Sequence, residues 1–200
     1  MRVTRREFLR LLAEGAVALG FLRISSLVPS GSLTEVVRPP GSVEEEFFNT
    51  LCVRCGVCVE VCPTNAIVFA DYMDGVEAAN TPKINPIIGP CEFYRGRCDT
   101  EMKCGKFCPT GALQLISKNG VKMGTALLNQ GICLAYLGKE CVVCDELCPV
   151  PDAITLDEQK RPHFHSDNCV GCGICVHYCP AQPKALTLSS TGARRVRWPR

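Results

Sequence analysis

Four times along the chain, four cysteines close on the same ending, C-x3-C-P, and nothing else in the sequence restricts the fold as strongly. The first run is Cys52-x2-Cys55-x2-Cys58-x3-Cys62-Pro63 and the last is Cys169-x2-Cys172-x2-Cys175-x3-Cys179-Pro180. Between them lie two stretched copies, Cys91-x6-Cys98-x5-Cys104-x3-Cys108-Pro109 and Cys133-x7-Cys141-x2-Cys144-x3-Cys148-Pro149. The four runs use all 16 cysteines of the 200 residues.

The two tight runs follow the bacterial ferredoxin spacing without a gap. A cubane cluster needs four thiolates aimed at four irons. Three cysteines at intervals of three, on a loop that curls around the cluster, supply three of them. The fourth cannot come from that loop, and in two-cluster ferredoxins the cysteine before proline ligates the other cluster. Proline stops the short helix there and turns the chain toward the second site. Gly56 and Gly173 sit inside the tight runs, where the backbone approaches the cluster closely or takes a positive φ. A disulfide framework or structural zinc also uses clustered cysteines. Neither needs four per run with a C-P ending, so the spacing points to four [4Fe–4S] clusters.

Each proline is followed by a short run of strand length: Ala66-Ile67-Val68-Phe69, Ala112-Leu113-Gln114-Leu115, Ala153-Ile154-Thr155-Leu156 and Ala185-Leu186-Thr187-Leu188. A unit of loop, helical turn and strand, used four times, predicts an α+β fold. It consists of two loop-rich, ferredoxin-like dicluster modules with short helices and small antiparallel hairpins. Aromatic residues make up only 6% of the chain, so metal binding must supply folding energy that a large aromatic core would otherwise provide.

The net charge of +2 hides a split: residues 31–190 carry 13 Lys+Arg against 18 Asp+Glu, while both ends are basic. That is not the footprint of a nucleic-acid binder, which clusters its basic residues on the folded body. Arg5-Arg6 followed by Phe8-Leu9 and the apolar stretch Leu11–Leu22 reads as a twin-arginine export signal over residues 1–30, either removed or kept as an anchor. Residues 31–42, rich in Pro and Gly, read as a linker, 43–190 as the cluster-bearing body, and 191–200 as a basic, solvated tail. Glu44-Glu45-Glu46 ahead of Phe47-Phe48 predicts a short helix with acidic residues at its start, packed over the first module. His163 and His165 read as an ordinary polar turn. No Gly-rich dinucleotide fingerprint and no Ser/His/Asp set points to catalysis.

The chain resembles the NapG/MauM group of periplasmic ferredoxin-type proteins. Beyond the cysteines, the likeness rests on Arg38-Pro39-Pro40-Gly41, Cys52-Val53-Arg54-Cys55-Gly56, Lys122-Met123-Gly124-Thr125-Ala126 and His165-Ser166-Asp167. The spacers of the second motif are looser than the family pattern. The resemblance implies a periplasmic, non-catalytic electron-transfer subunit. Its partners would be a membrane quinol-oxidising ferredoxin-type protein and a periplasmic reductase or electron carrier, of the nitrate reductase type. The alternative role is an electron-donating maturation factor for an enzyme such as methylamine dehydrogenase.

Spacing leaves the pairing of the motifs open. In chain order, the first pairs with the second and the third with the fourth. The regular motifs are the outer pair and the stretched ones the inner pair, and that symmetry favours nesting. Cys52, Cys55 and Cys58 would then share a cluster with Cys179, and Cys169, Cys172 and Cys175 with Cys62. Cys91, Cys98 and Cys104 would take Cys148, and Cys133, Cys141 and Cys144 would take Cys108.

Overall fold

Every helix inside a cysteine run is a single turn, because the C-P ending halts it. The structure, a computed structural model, describes residues 36–98 and 101–198. The expected export signal, the first part of the expected linker (31–35) and the last two residues of the basic tail lie outside the described residues. Helix α1 is Glu45–Leu51; α2 (Val57–Glu60), α3 (Lys103–Lys106), α4 (Val143–Glu146) and α5 (Ile174–His177) each stop two residues before the last cysteine of a run. Among the described residues no helix is long and apolar enough to cross a membrane.

The strands form three two-stranded antiparallel sheets, as expected of a loop-rich α+β fold. Strand β1 (Ile67–Phe69) pairs with β2 (Pro82–Ile84), Ile67 opposite Ile84. Strand β4 (Ile154–Leu156) pairs with β5 (Pro162–Phe164), Ile154 opposite Phe164. Each of these hairpins occupies the interval between two consecutive motifs and folds the later motif back on the earlier one. Strand β3 (Thr125–Leu128) makes the long-range pair with β6 (Leu186–Ser189), Ala126 opposite Leu188. One apolar core runs through both halves, from Val43, Phe48 and Ile67 to Val170 and Ile174.

Three expectations need correction here. Ala112–Leu115 is no strand: Leu113 makes only an isolated bridge to Ser42. Its partner is the stretch read as a linker, and that stretch is core. From Val36 to Val43 every residue is buried. Arg38, at 0% exposure, is held by Glu45, the Thr81 hydroxyl and the Pro82 carbonyl, with its guanidinium 4.5 Å from the centre of the Phe48 ring. A buried guanidinium is tolerable only when its donors are used up in this way. The basic tail, in turn, is not a free end. Val196 bridges Val43 and exchanges backbone hydrogen bonds with Ser42 and Glu44. Arg195 donates to the Ser42 hydroxyl (2.9 Å), and the Trp198 ring covers Gly111.

Candidate metal centre

The sixteen thiols gather in four groups of four. Site A is a void lined by Cys52, Cys55, Cys58 and Cys108, with Phe48, Phe69 and Pro109 in its wall. Site B is lined by Cys62, Cys91, Cys98 and Cys104. Site C is lined by Cys148, Cys169, Cys172 and Cys175. The three voids are alike in size, with about 380, 340 and 350 Å³ of atom-free space including their mouths. At site D, Cys133 and Cys179 share an apolar cluster with Ala135, Ala181 and Ala185, and the thiols of Cys133 and Cys141 lie close enough to Cys144 to add to the rise in its pKa that burial causes.

The grouping follows chain order: each run sends three cysteines to one site and the cysteine before proline to its partner's site. The nested pairing expected from the regular and stretched spacers does not form. Cys179 lies with Cys133, not with Cys52, and Cys62 lies with Cys91, not with Cys169. The hairpins β1–β2 and β4–β5 explain why. Closing a short antiparallel hairpin between neighbouring motifs costs less chain entropy than joining motifs separated by most of the chain.

The sites stand in series. Sites A and B share the helical turns that carry Cys58 with Cys62 and Cys104 with Cys108. Sites C and D share those that carry Cys144 with Cys148 and Cys175 with Cys179. Between B and C the Cys91 amide donates to the Cys172 carbonyl (2.8 Å), and His177 Nδ1 lies 3.0 Å from the Pro86 carbonyl oxygen. Most cysteines of the inner sites are buried, whereas Cys55 at site A is exposed.

Two glycines make this geometry possible. Gly56 (φ +79) and Gly173 (φ +78) take the left-handed conformation just before α2 and α5, as their places in the tight runs require. A Cβ on Gly173 would stand 2.6 Å from Pro86, at the seam between the halves. On Gly56 it would meet only the Phe69 ring, at 3.1 Å.

The donor set fits an iron–sulfur cluster. Burial, then the crowding of neighbouring thiols, pushes Cys58 and Cys144 up to about 12. Burial does the same to Cys172, and it drives Cys104 and Cys175 well above the ordinary thiol range. Four thiolates in such a void are sustainable only with a cationic core among them. Cys108 goes the other way: burial raises it, but the amides of Leu113 and Thr110 and the Thr110 hydroxyl outweigh that and lower it. Among the described residues no group of three His, Cys, Asp or Glu is placed to hold a single metal ion.

Comparison with known proteins agrees with this geometry. Residues 46–68 and 160–181 each match a 4Fe-4S binding domain model, and these segments contain the two tight runs. The methylamine utilization ferredoxin-type protein MauM of Paracoccus denitrificans is 35% identical over 98% of this chain and 94% of its own length. MauM of Methylorubrum extorquens is 40% identical over 88% and 84%. The ferredoxin-type protein NapG of Escherichia coli is 36% identical over 91% and 84%. The chain belongs to the NapG/MauM family of ferredoxin-type proteins. It is an iron–sulfur electron-transfer protein, and as a family member it is expected to carry electrons rather than transform a substrate.

Several residues around the sites escaped the sequence reading. The Thr64 and Thr110 hydroxyls lie 3.7 Å from the Cys62 and Cys108 sulfurs, a C-P-T signal visible in two of the four runs. The Lys122 ammonium, buried, donates to the Ser166 and Cys169 carbonyls, and Lys184 donates to those of His177 and Cys179. In the sequence Lys122 stands out only within the Lys122-Met123-Gly124 family match. His163 and His165 stay at the β4–β5 hairpin: His163 faces Asp157 at 3.5 Å and His165 pairs with the Thr155 hydroxyl at 2.9 Å.

Proposed function

We propose that the chain is a non-catalytic electron relay that holds four [4Fe–4S] clusters, one at each of sites A to D, with the sixteen cysteines as ligands. The observation that carries this is the series arrangement, in which each quartet adjoins the next and the only exposed cysteine belongs to an end site. When bound, the clusters supply one-electron redox chemistry. The cysteines fix four sites in file, the apolar walls limit water, and the Thr110 hydroxyl and backbone donors stabilise charge on sulfur.

The chain is exported by the twin-arginine route into the periplasm, Arg5 and Arg6 serving as the signal. There it links a membrane quinol-oxidising ferredoxin-type protein to a periplasmic reductase or carrier, of the nitrate reductase type. The MauM relatives favour a second reading, electron donation during maturation of methylamine dehydrogenase. Anaerobically purified protein should contain about 16 iron and 16 sulfide per chain, from four cubanes. Membranes containing the partner should reduce it on addition of quinol. Stoichiometric zinc, or turnover of nitrate or methylamine by the isolated chain, would refute the relay.

A further inference from the structure

Glu92 is the one residue among those described whose buried side-chain polar atoms lack a hydrogen-bond partner: both carboxylate oxygens are sealed from solvent without one. It follows Cys91, is 2% exposed, and lines site B together with the four thiols. Such a carboxylate is a standing cost to the fold, and a glutamine of the same shape would remove the charge. Two arginines face it at ion-pair distance. Arg97 Nε lies 2.9 Å from Oε2 but is 66% exposed, so water screens it. Arg95 Nη1 lies 3.5 Å from Oε1 and is 27% exposed. The other end of the Arg95 guanidinium crosses the seam and donates to the Leu147 carbonyl, next to Cys148 of site C. Burial raises the Cys148 thiol, and the Arg95 charge opposes that rise. Lys103, at the rim of site B, is only half-buried.

The spacer that stretches the second motif therefore places a buried negative charge at site B and a positive charge against site C, where the Cys91 amide meets the Cys172 carbonyl. We propose that Glu92 and Arg95 form a fixed dipole across the seam that lowers the reduction potential at site B and raises it at site C. The exchange it biases is one electron: one site is oxidised as the other is reduced, with no bond broken and no proton moved. This rests on the relay reading above, and it adds a direction to the central step, from B to C.

The test is a potentiometric titration of the anaerobic holoprotein followed by paramagnetic resonance, with the signals of B and C assigned through Cys98→Ser and Cys172→Ser. Glu92→Gln should raise the potential at B and leave C nearly unchanged; Arg95→Gln should lower the potential at C. Each should reduce the preference of the electron for C about tenfold, which is about 59 mV for one electron. Arg97→Gln should move neither site as far. If Glu92→Gln loses iron, Arg95→Gln decides alone, because Arg97 still faces Glu92 in that variant. Unmoved potentials at full iron content would overturn the proposal, as would B and C shifting by equal amounts in either variant or Arg97→Gln matching Glu92→Gln. A wild-type preparation without iron would instead overturn the relay reading.

Discussion

The two halves of the molecule repeat one ligand pattern and surround it with different chemistry. In the first half, both C-P endings continue as Cys-Pro-Thr, and the hydroxyls of Thr64 and Thr110 lie beside the Cys62 and Cys108 sulfurs. In the second half, the same places hold Val150 and Ala181, which offer sulfur no hydroxyl. There Lys122 and Lys184 sit on the carbonyls of Cys169 and Cys179. A hydroxyl presents a dipole to sulfur, whereas an ammonium brings a whole charge that a buried site feels strongly. Ligand spacing thus sets where a cluster sits, and the residues around it set how readily that site accepts an electron.

The contrast breaks most visibly at Lys122. Lys122→Met leaves the Ser166 and Cys169 carbonyls without their donor, and should cost about 3 kcal/mol of stability. It should also lower the potential of site C and leave A and B unmoved; denaturant unfolding and a redox titration read the two effects. Equal shifts at all four sites would mean that the ammonium acts on the whole molecule and that the halves do not differ in this respect.

The paired glycines sharpen the comparison. Both need the left-handed conformation, worth about 1–2 kcal/mol when alanine replaces glycine. Gly173→Ala must in addition push Pro86 away at the seam, a further cost of about 1–3 kcal/mol typical of overpacking. Gly56→Ala meets a ring that can turn. Thermal unfolding should therefore rank Gly173→Ala clearly below Gly56→Ala, and the reverse order would mean that the seam yields easily.

The smallest effect belongs to the hydroxyls. Thr110→Val should lower the potential of site A with a stability loss of about 1 kcal/mol or less, whereas Thr64→Val, which removes a hydroxyl that donates to the Pro90 carbonyl (2.7 Å), should leave site B nearly unmoved. Val150→Thr should raise the potential of site C in the same way if the hydroxyl is what distinguishes the endings.

The ligand pattern was legible because cluster geometry dictates cysteine spacing, and the same geometry made Gly56 and Gly173 readable as left-handed positions. The runs after Pro63, Pro149 and Pro180 also form strands as read. The pairing of motifs was not legible. The symmetry of tight outer and stretched inner runs suggested nesting, but the hairpins between neighbouring motifs govern which cysteines meet, and their strands are only three residues long. Residues 36–42 resembled a linker because Pro39, Pro40 and Gly41 punctuate them. Only the fold reveals that Glu45 and Thr81 converge on Arg38 and make it a core residue. Val196 and Trp198 gave no periodicity by which to see that the basic tail closes over the same stretch. Nothing in the spacer marks Glu92, since burial at the seam is a property of the assembled halves.

The central claim, four cluster sites paired in chain order, comes down to where one thiol goes. In Cys62→Ser holoprotein, with the four cluster signals resolved by paramagnetic resonance, the perturbed signal should be that of the site bound by Cys91, Cys98 and Cys104. The signal of Cys169, Cys172 and Cys175 should be unchanged. A perturbed 169–175 site beside an intact 91–104 site would contradict the account and restore the nested arrangement.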